Sequence, residues 1–286
     1  MFIRDRTNVV LDFVLIRYLH MDVYGAALAT VISQALSFVM GIVYFRSKKH
    51  IVTFSPKEWK IDKKSAGDLI RIGLPAALQQ VSVNISNLTL NGIVNTYGLA
   101  ATAAYGIGVK LDSFAILPCN AVSDAVATIS SQNLGVGKEE RARGAIKKAE
   151  RITLIFNAVL TVFIFAFAPN LASIFNADPQ VIDTASHYLR ITVFMYMFYA
   201  YLYPISGFVK GSGNSMFTLR NSLFSQYVIR IPLAFLFAKG LGLGIYGVAL
   251  AWLTAPMYSS VSHTVYYKSE KWKENLKRRQ AHGLGV

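Results

Sequence analysis

Residues 24–29 read YGAALA, and residues 246–251 read YGVALA, 222 positions further on. Extended without gaps, 24–49 (YGAALATVISQALSFVMGIVYFRSKK) and 246–271 (YGVALAWLTAPMYSSVSHTVYYKSEK) agree at 11 of 26 positions, including Tyr44/Tyr266, Ser47/Ser269 and Lys49/Lys271. The same offset pairs Leu11 with Leu233, Phe13 with Phe235 and Arg17 with Lys239. A match that ends in a shared basic stop reads as an internal repeat.

The segments carrying it are apolar. Of 286 residues, 53% are hydrophobic and 15% charged, and the mean hydropathy is +0.40. That places the chain among membrane proteins. Eight apolar segments are expected, near 7–20, 24–45, 68–95, 101–133, 151–174, 181–208, 215–238 and 245–267. Alternate connectors hold 24 of the 29 Lys and Arg, while the opposite set holds only Arg17 and Lys239. Such asymmetry is the positive-inside signature. It predicts a cytoplasmic C-terminus in a multi-pass inner (plasma) membrane protein. It also assigns the net charge of +14 to orientation and lipid contact rather than to nucleic acid.

Segment 1 matches segment 7, and segment 2 matches segment 8. The repeat unit is therefore six helices, and an even number of crossings makes the copies parallel, as in many secondary transporters. The expected fold is all-α: residues 1–50 as the last two helices of one bundle, 51–67 as a cytoplasmic linker with Trp59 at the interface, 68–270 as a complete six-helix bundle, and 271–286 as a basic tail. On this arithmetic four helices of a twelve-helix design are not in the chain. The one cysteine, Cys119, and five scattered histidines offer no metal or disulfide framework, so no cofactor is expected beyond a coupling ion. The GVGK at 135–138 lacks the rest of a phosphate loop.

Polar groups inside a bilayer are expensive, so their arrangement points to a pathway. Gln80, Asn84, Asn87, Asn91 and Asn95 form one stripe of segment 3. It faces either a watery cavity or a neighbouring helix. In segment 4, Lys110, Ser113, Asn120, Asp124, Thr128, Ser131 and Gln132 share one face, with Asp112 roughly opposite and Pro118 able to bend the helix. Lys110 and Asp112 cannot pair with each other at that spacing. Arg190 and Arg230 are available as partners. Asp112 and Asp124 are either ion-coupling carboxylates or members of static pairs. Tyr196, Tyr199 and Tyr203, grouped with Thr192, either receive flat cations or simply pack. Pro75, Pro118, Pro204 and Pro232 are candidate hinges.

With these residues in view, the chain resembles the multidrug and toxic-compound extrusion (MATE) family. The resemblance rests on NVVLD (8–12), GAALATVISQ (25–34), GLPAALQQ (73–80), VKLDSFAILP (109–118), SSQNLGVGKEER (130–141), GSGN (211–214) and IRIPLAF (229–235). It implies a two-lobed, twelve-helix antiporter exporting organic cations against H⁺ or Na⁺, with this chain matching helices 5–12. Asp12 then falls in the fifth-helix motif, and Lys110 and Asp112 in the eighth. The family's first-helix coupling aspartate has no counterpart here, and LQQVSVNIS (78–86) carries amides where some members have an acid. The expected partners are organic cations, membrane lipid and the segments matching the missing N-terminal half. The rival readings are a non-transporting remnant or half that needs a partner chain, and a flippase for lipid-linked sugars, which calls for a basic groove. An intramembrane enzyme lacks any visible nucleophile–base pair.

Overall fold

A computed structural model describes residues 2–47, 63–274 and 276. The amphipathic stretch around Trp59 and residues 277–286 of the basic tail lie outside the described residues. Among those described, every regular element is helical. They divide into two compact units, 1–65 and 66–286.

In the first unit, α1 (Phe2–Asp12) runs into a π-helical turn, Phe13–Tyr18, and is followed by α2 (Asp22–Ser47). The second unit holds α3 (Lys63–Asn95), α4 (Leu99–Gly135), α5 (Glu139–Phe175), α6 (Pro179–Thr192), α7 (Met195–Gly211) and α8 (Ser215–Leu223). A π-helix (Phe224–Arg230), the short α9 (Ile231–Phe235) and a second π-helix (Leu236–Gly240) lead to α10 (Gly244–Lys268).

The sequence repeat is reproduced bond for bond where each unit turns into its last helix. Leu19 N–H donates to Val14 O, as Leu241 N–H does to Leu236 O. Met21 N–H donates to Leu15 O, as Leu243 N–H does to Phe237 O. The turns use positive φ at matching positions, His20 (49°) with Gly242 (67°) and Asp22 (41°) with Gly244 (56°). At the match of Gly25 and Gly247 the following helix touches the preceding backbone: a Cβ on Gly247 would lie 2.5 Å from Phe237 C, and one on Gly25 3.2 Å from Leu15 C. Glycine permits that approach.

By length and hydropathy, three described helices can cross a membrane: α2, α4 and α5. A fourth appears if α6 and α7, bent by 46°, form one span. The eight expected crossings are thus not all distinguished by composition. The amides of α3 and the Ser259, Ser260 and His263 of α10 dilute their hydropathy, and π-helices interrupt residues 13–18 and 224–240. The segment expected to run continuously over 181–208 is broken at Val193 and Phe194.

The membrane character is clearest in α5. Its packed face is mostly small or polar (Ala149, Thr153, Asn157, Thr161, Ala168, with Ile146 and Ile164 the large exceptions), whereas Ile155, Val159 and Val162 are at least 65% exposed. This is the inverse of a water-soluble helix and suits lipid. The polar residues of the packed face satisfy backbone. Thr153 Oγ1 donates to Ala200 O (2.7 Å), the carbonyl left without its donor by Pro204. Thr161 Oγ1 donates to Val193 O (3.3 Å) at the α6–α7 break. Asn157 Nδ2 contacts Cys119 Sγ (3.3 Å) and tightens α5 against α4.

Two cores fill the second unit. One joins Tyr105, Tyr188, Val193, Tyr196 and Trp252, and the other joins Val126, Ile146, Phe208 and Trp272. The second core is closed by a clasp. Arg143 pairs with Glu139 and Glu270, Lys273 pairs with the same two carboxylates, and Arg143 lies over the Tyr267 and Trp272 rings. Trp272 is fully buried, so residues 271–274, read from sequence as the start of the tail, belong to the bundle.

Two predictions follow from this packing. A Cβ on Gly207 would collide with the Ser123 carbonyl of α4. Gly207→Val is expected to destabilise by about 1–3 kcal/mol, read as a lower unfolding temperature in micelles. Gly144→Ala, which meets open space, should be neutral or slightly stabilising. At the clasp, the hydrogen bond from Lys273, reinforced by Arg143, holds the Glu270 carboxyl below its ordinary value of 4.5. Its contribution is therefore fully present above that value and is lost as pH falls through the lowered one. The protection factor of the Trp272 indole N–H against hydrogen exchange should fall on acidification below about pH 4.5, and in Glu270→Gln it should already be lower at neutral pH.

Candidate functional site

A cavity of about 360 Å³ opens inside the second unit, walled by α3, α4, α7, α8, the π-helix Phe224–Arg230 and α10. The amide stripe of α3 supplies Gln80, Asn84 and Asn87 to its wall. Gln80 Nε2 donates to Asn84 Oδ1 (3.3 Å). The stripe then leaves the cavity. Asn91 is half-buried away from the lining, and Asn95 accepts from Thr102 Oγ1 (3.0 Å). Both readings of the stripe therefore have a place, cavity wall at one end and interhelical bond at the other.

From α4 come Asp112, Ile116 and Asn120, one turn apart each. Asn120 thus shares a face with Asp112. Asp112 is 6% exposed, and its Oδ1 has no hydrogen-bond partner. The other charged residues of α4 go elsewhere. Asp124 is exposed and is not part of the lining. Lys110 is exposed, with Nζ 5.4 Å from the Phe175 ring. From α7, Tyr199 and Tyr203 line the cavity with their rings 5.3 Å apart and edge-on. Tyr196 is buried behind them in the core and is outside the lining.

The two arginines behave differently. Arg190 Nε donates to Phe165 O (3.4 Å), the carbonyl that Pro169 leaves without a donor, and lies over the Phe165 ring. It pairs with neither Asp112 nor Lys110. Arg230, 3% exposed, lines the cavity. Its Nη1 donates to Asn87 Oδ1 (3.0 Å) and Gln226 Oε1 (2.9 Å), and its guanidinium lies 4.3 Å from the Trp252 ring centre. No direct bond joins it to Asp112. Asp12 lies in the first unit, half-buried, with Oδ1 lacking a partner.

The sequence reading passed over several lining residues. Gln226 and Arg230 stand four apart, a spacing that predicts their contact. Lys210 was counted with a basic connector, yet it lines the cavity, as do Asn221, Trp252, Ser259 and His263. Asn221 Nδ2 donates to Ser259 Oγ (3.0 Å), and His263 Nδ1 lies 2.8 Å from Ser259 O. Among the described residues no three His, Cys, Asp or Glu side chains gather as a metal site.

A polar, charged cavity inside a bundle that faces lipid invites comparison with known transporters. The model of the MatE family matches residues 75–236, which span every cavity-lining element except α10. The chain belongs to the MatE family. It is 29% identical over 250 residues to Probable multidrug resistance protein YoeA of Bacillus subtilis (86% of this chain, 53% of that protein). It is 30% identical over 271 residues to Probable multidrug resistance protein YpnP of the same organism (93% and 59%). Over 287 residues it is 26% identical to Probable multidrug resistance protein NorM of Thermotoga maritima (97% and 61%). The chain therefore spans between half and two thirds of the length of these curated relatives. In fold it is similar to a MATE crystal structure in complex with MaL6 (TM-score 0.88, 22% identity, 96% of this chain and 62% of that one). It is equally similar to a MOP superfamily transporter from Pyrococcus furiosus (TM-score 0.88, 23% identity, 96% and 62%). The chain thus shares the multi-helical fold of these solved structures.

The bonds at Arg230 carry a prediction of their own. Asn87→Leu removes an acceptor of a buried guanidinium and should cost about 1–3 kcal/mol. A matching drop in thermal stability, absent in Asn91→Leu outside the lining, would check it.

Proposed function

We propose that this MatE protein exports organic cations in exchange for H⁺ or Na⁺, by alternating access, through the cavity of the second unit. The observation that carries the reading is Asp112: a carboxylate enclosed in a membrane bundle, on the cavity wall, with one oxygen unpartnered. Such a group binds a proton or a cation in one conformation and releases it in another, and the difference in affinity shifts the inward–outward equilibrium. Asp112 is the coupling residue. Asp124, Lys110 and Asp12 are secondary positions, since none of them lines this cavity. Gln80, Asn84, Asn87, Tyr199 and Tyr203 contact the substrate, and Tyr196 supports them from behind.

The chain corresponds in this reading to the last two helices of one lobe and the complete second lobe. Its C-terminus is cytoplasmic, in the inner membrane, as the distribution of Lys and Arg suggests. The span of the chain, between half and two thirds of the relatives' length, supports a second element of the proposal. Segments matching the rest of their length act together with this unit, on the same polypeptide or as a partner chain.

Ethidium efflux from pump-deficient cells, expressing the protein from its complete native locus, tests the proposal. Expression should speed efflux, and Asp112→Asn should return it to the vector level while Asp124→Asn does not. Undiminished efflux in a membrane-inserted Asp112→Asn variant would remove the coupling role. No efflux from the wild type would remove the cation-export reading.

A further inference from the structure

We propose that the same cavity contains an oxyanion subsite at Arg230, which holds a carboxylate or phosphate group of an amphipathic ligand. The inference rests on reading this cavity as the ligand site. The first observation is charge: the lining carries Arg230 and Lys210 against the single carboxylate of Asp112. Among the described residues neither cation has a carboxylate within 4.0 Å. A buried cation with no carboxylate in direct contact is costly, and this cost is relieved when an anion arrives.

The second observation is how the guanidinium is held. Nη1 is occupied twice, by Asn87 and Gln226, and one ring face rests on Trp252. These partners are neutral: they fix the plane of the group without cancelling its charge. Nε and Nη2, the edge that matches two oxygens of a carboxylate or phosphate, have no partner. Arg143 gives the contrast within the same unit. That arginine is also set against aromatic rings, but its Nε and Nη2 are taken up by Glu139 and Glu270. One arginine is neutralised by the fold. The other is oriented by the fold and left charged.

Equilibrium binding of radiolabelled benzoate to the purified protein in neutral micelles tests the subsite. Dioleoylphosphatidic acid, added to the micelles, serves as the lipid arm. Saturable benzoate binding supports a soluble carboxylate as the ligand, and phosphatidate binding alone supports a lipid headgroup. Saturable binding of neither overturns the proposal. Arg230→Lys keeps the charge but loses the paired edge, so it should weaken binding by about tenfold or more, and Arg230→Gln should abolish it. Unchanged affinity in Arg230→Lys overturns the proposal, and that variant decides alone if Arg230→Gln fails to fold. Tetraphenylphosphonium binding, measured in the same samples, separates the two readings. Anion binding without it leaves the subsite standing and counts against cation export, whereas tetraphenylphosphonium binding alone sinks the subsite.

Discussion

A proline inside a bilayer helix leaves the carbonyl four residues earlier without a donor, and hydrocarbon offers no water to replace it. Two bends of the second unit answer that constraint with a donor from another helix. Pro204 frees Ala200 O, which accepts from Thr153. Pro169 frees Phe165 O, which accepts from Arg190. Each repair comes from a different helix, so it also fixes a contact: α5 to α7 in the first case, α6 to α5 in the second. A bend can then coexist with a closed bundle. The break at Val193 is held in the same manner by Thr161.

The cavity lies where the polar groups are not consumed by such repairs. Asp112 Oδ1, Arg230 Nε and Nη2, Asn221 Oδ1 and His263 Nε2 are buried without partners, and all belong to residues on its wall. A fold in which nearly every buried polar group is paired has concentrated several exceptions in one place. A ligand or ion that reaches these groups can pair with several of them at once. Asp112 and Arg230 stand on one cavity wall with opposite charges and no direct bond between them.

The bundle was legible because membrane constraints write directly into composition and charge placement. The repeat was legible because the two copies align without a gap from Leu11 to Lys49 and from Leu233 to Lys271. The break between α6 and α7 was not, since no Pro or Gly marks Val193 and Phe194; it depends on a donor, Thr161, that lies 32 positions away. The site was legible in part. Asp112 stood out as a carboxylate within an apolar segment, while helical spacing grouped three amides and two tyrosines that line the cavity. The same spacing misassigned the company of Asn120, because a helix wheel cannot say which neighbour claims a residue midway between two faces. Lys210 was hidden by its basic connector. Arg190 was read as a counter-ion, and its actual role, donating to a carbonyl, required knowing that Pro169 is nearby in space.

The repeat also shows which parts of the unit are scaffold. At the 222-residue offset the hydrogen bonds of the turn, its positive φ angles and its close-packed glycine all recur. Most cavity residues that have a counterpart do not, although Ser259 recurs as Ser37. Arg230 corresponds to Asn8, Gln226 to Arg4 and Trp252 to Thr30, while Asp12 corresponds to the buried Ala234. The π-helical joint is thus common to both copies, whereas the cation, the amide that orients it and the ring beneath it exist only in the second. At these positions the two copies share a backbone and differ in side-chain chemistry.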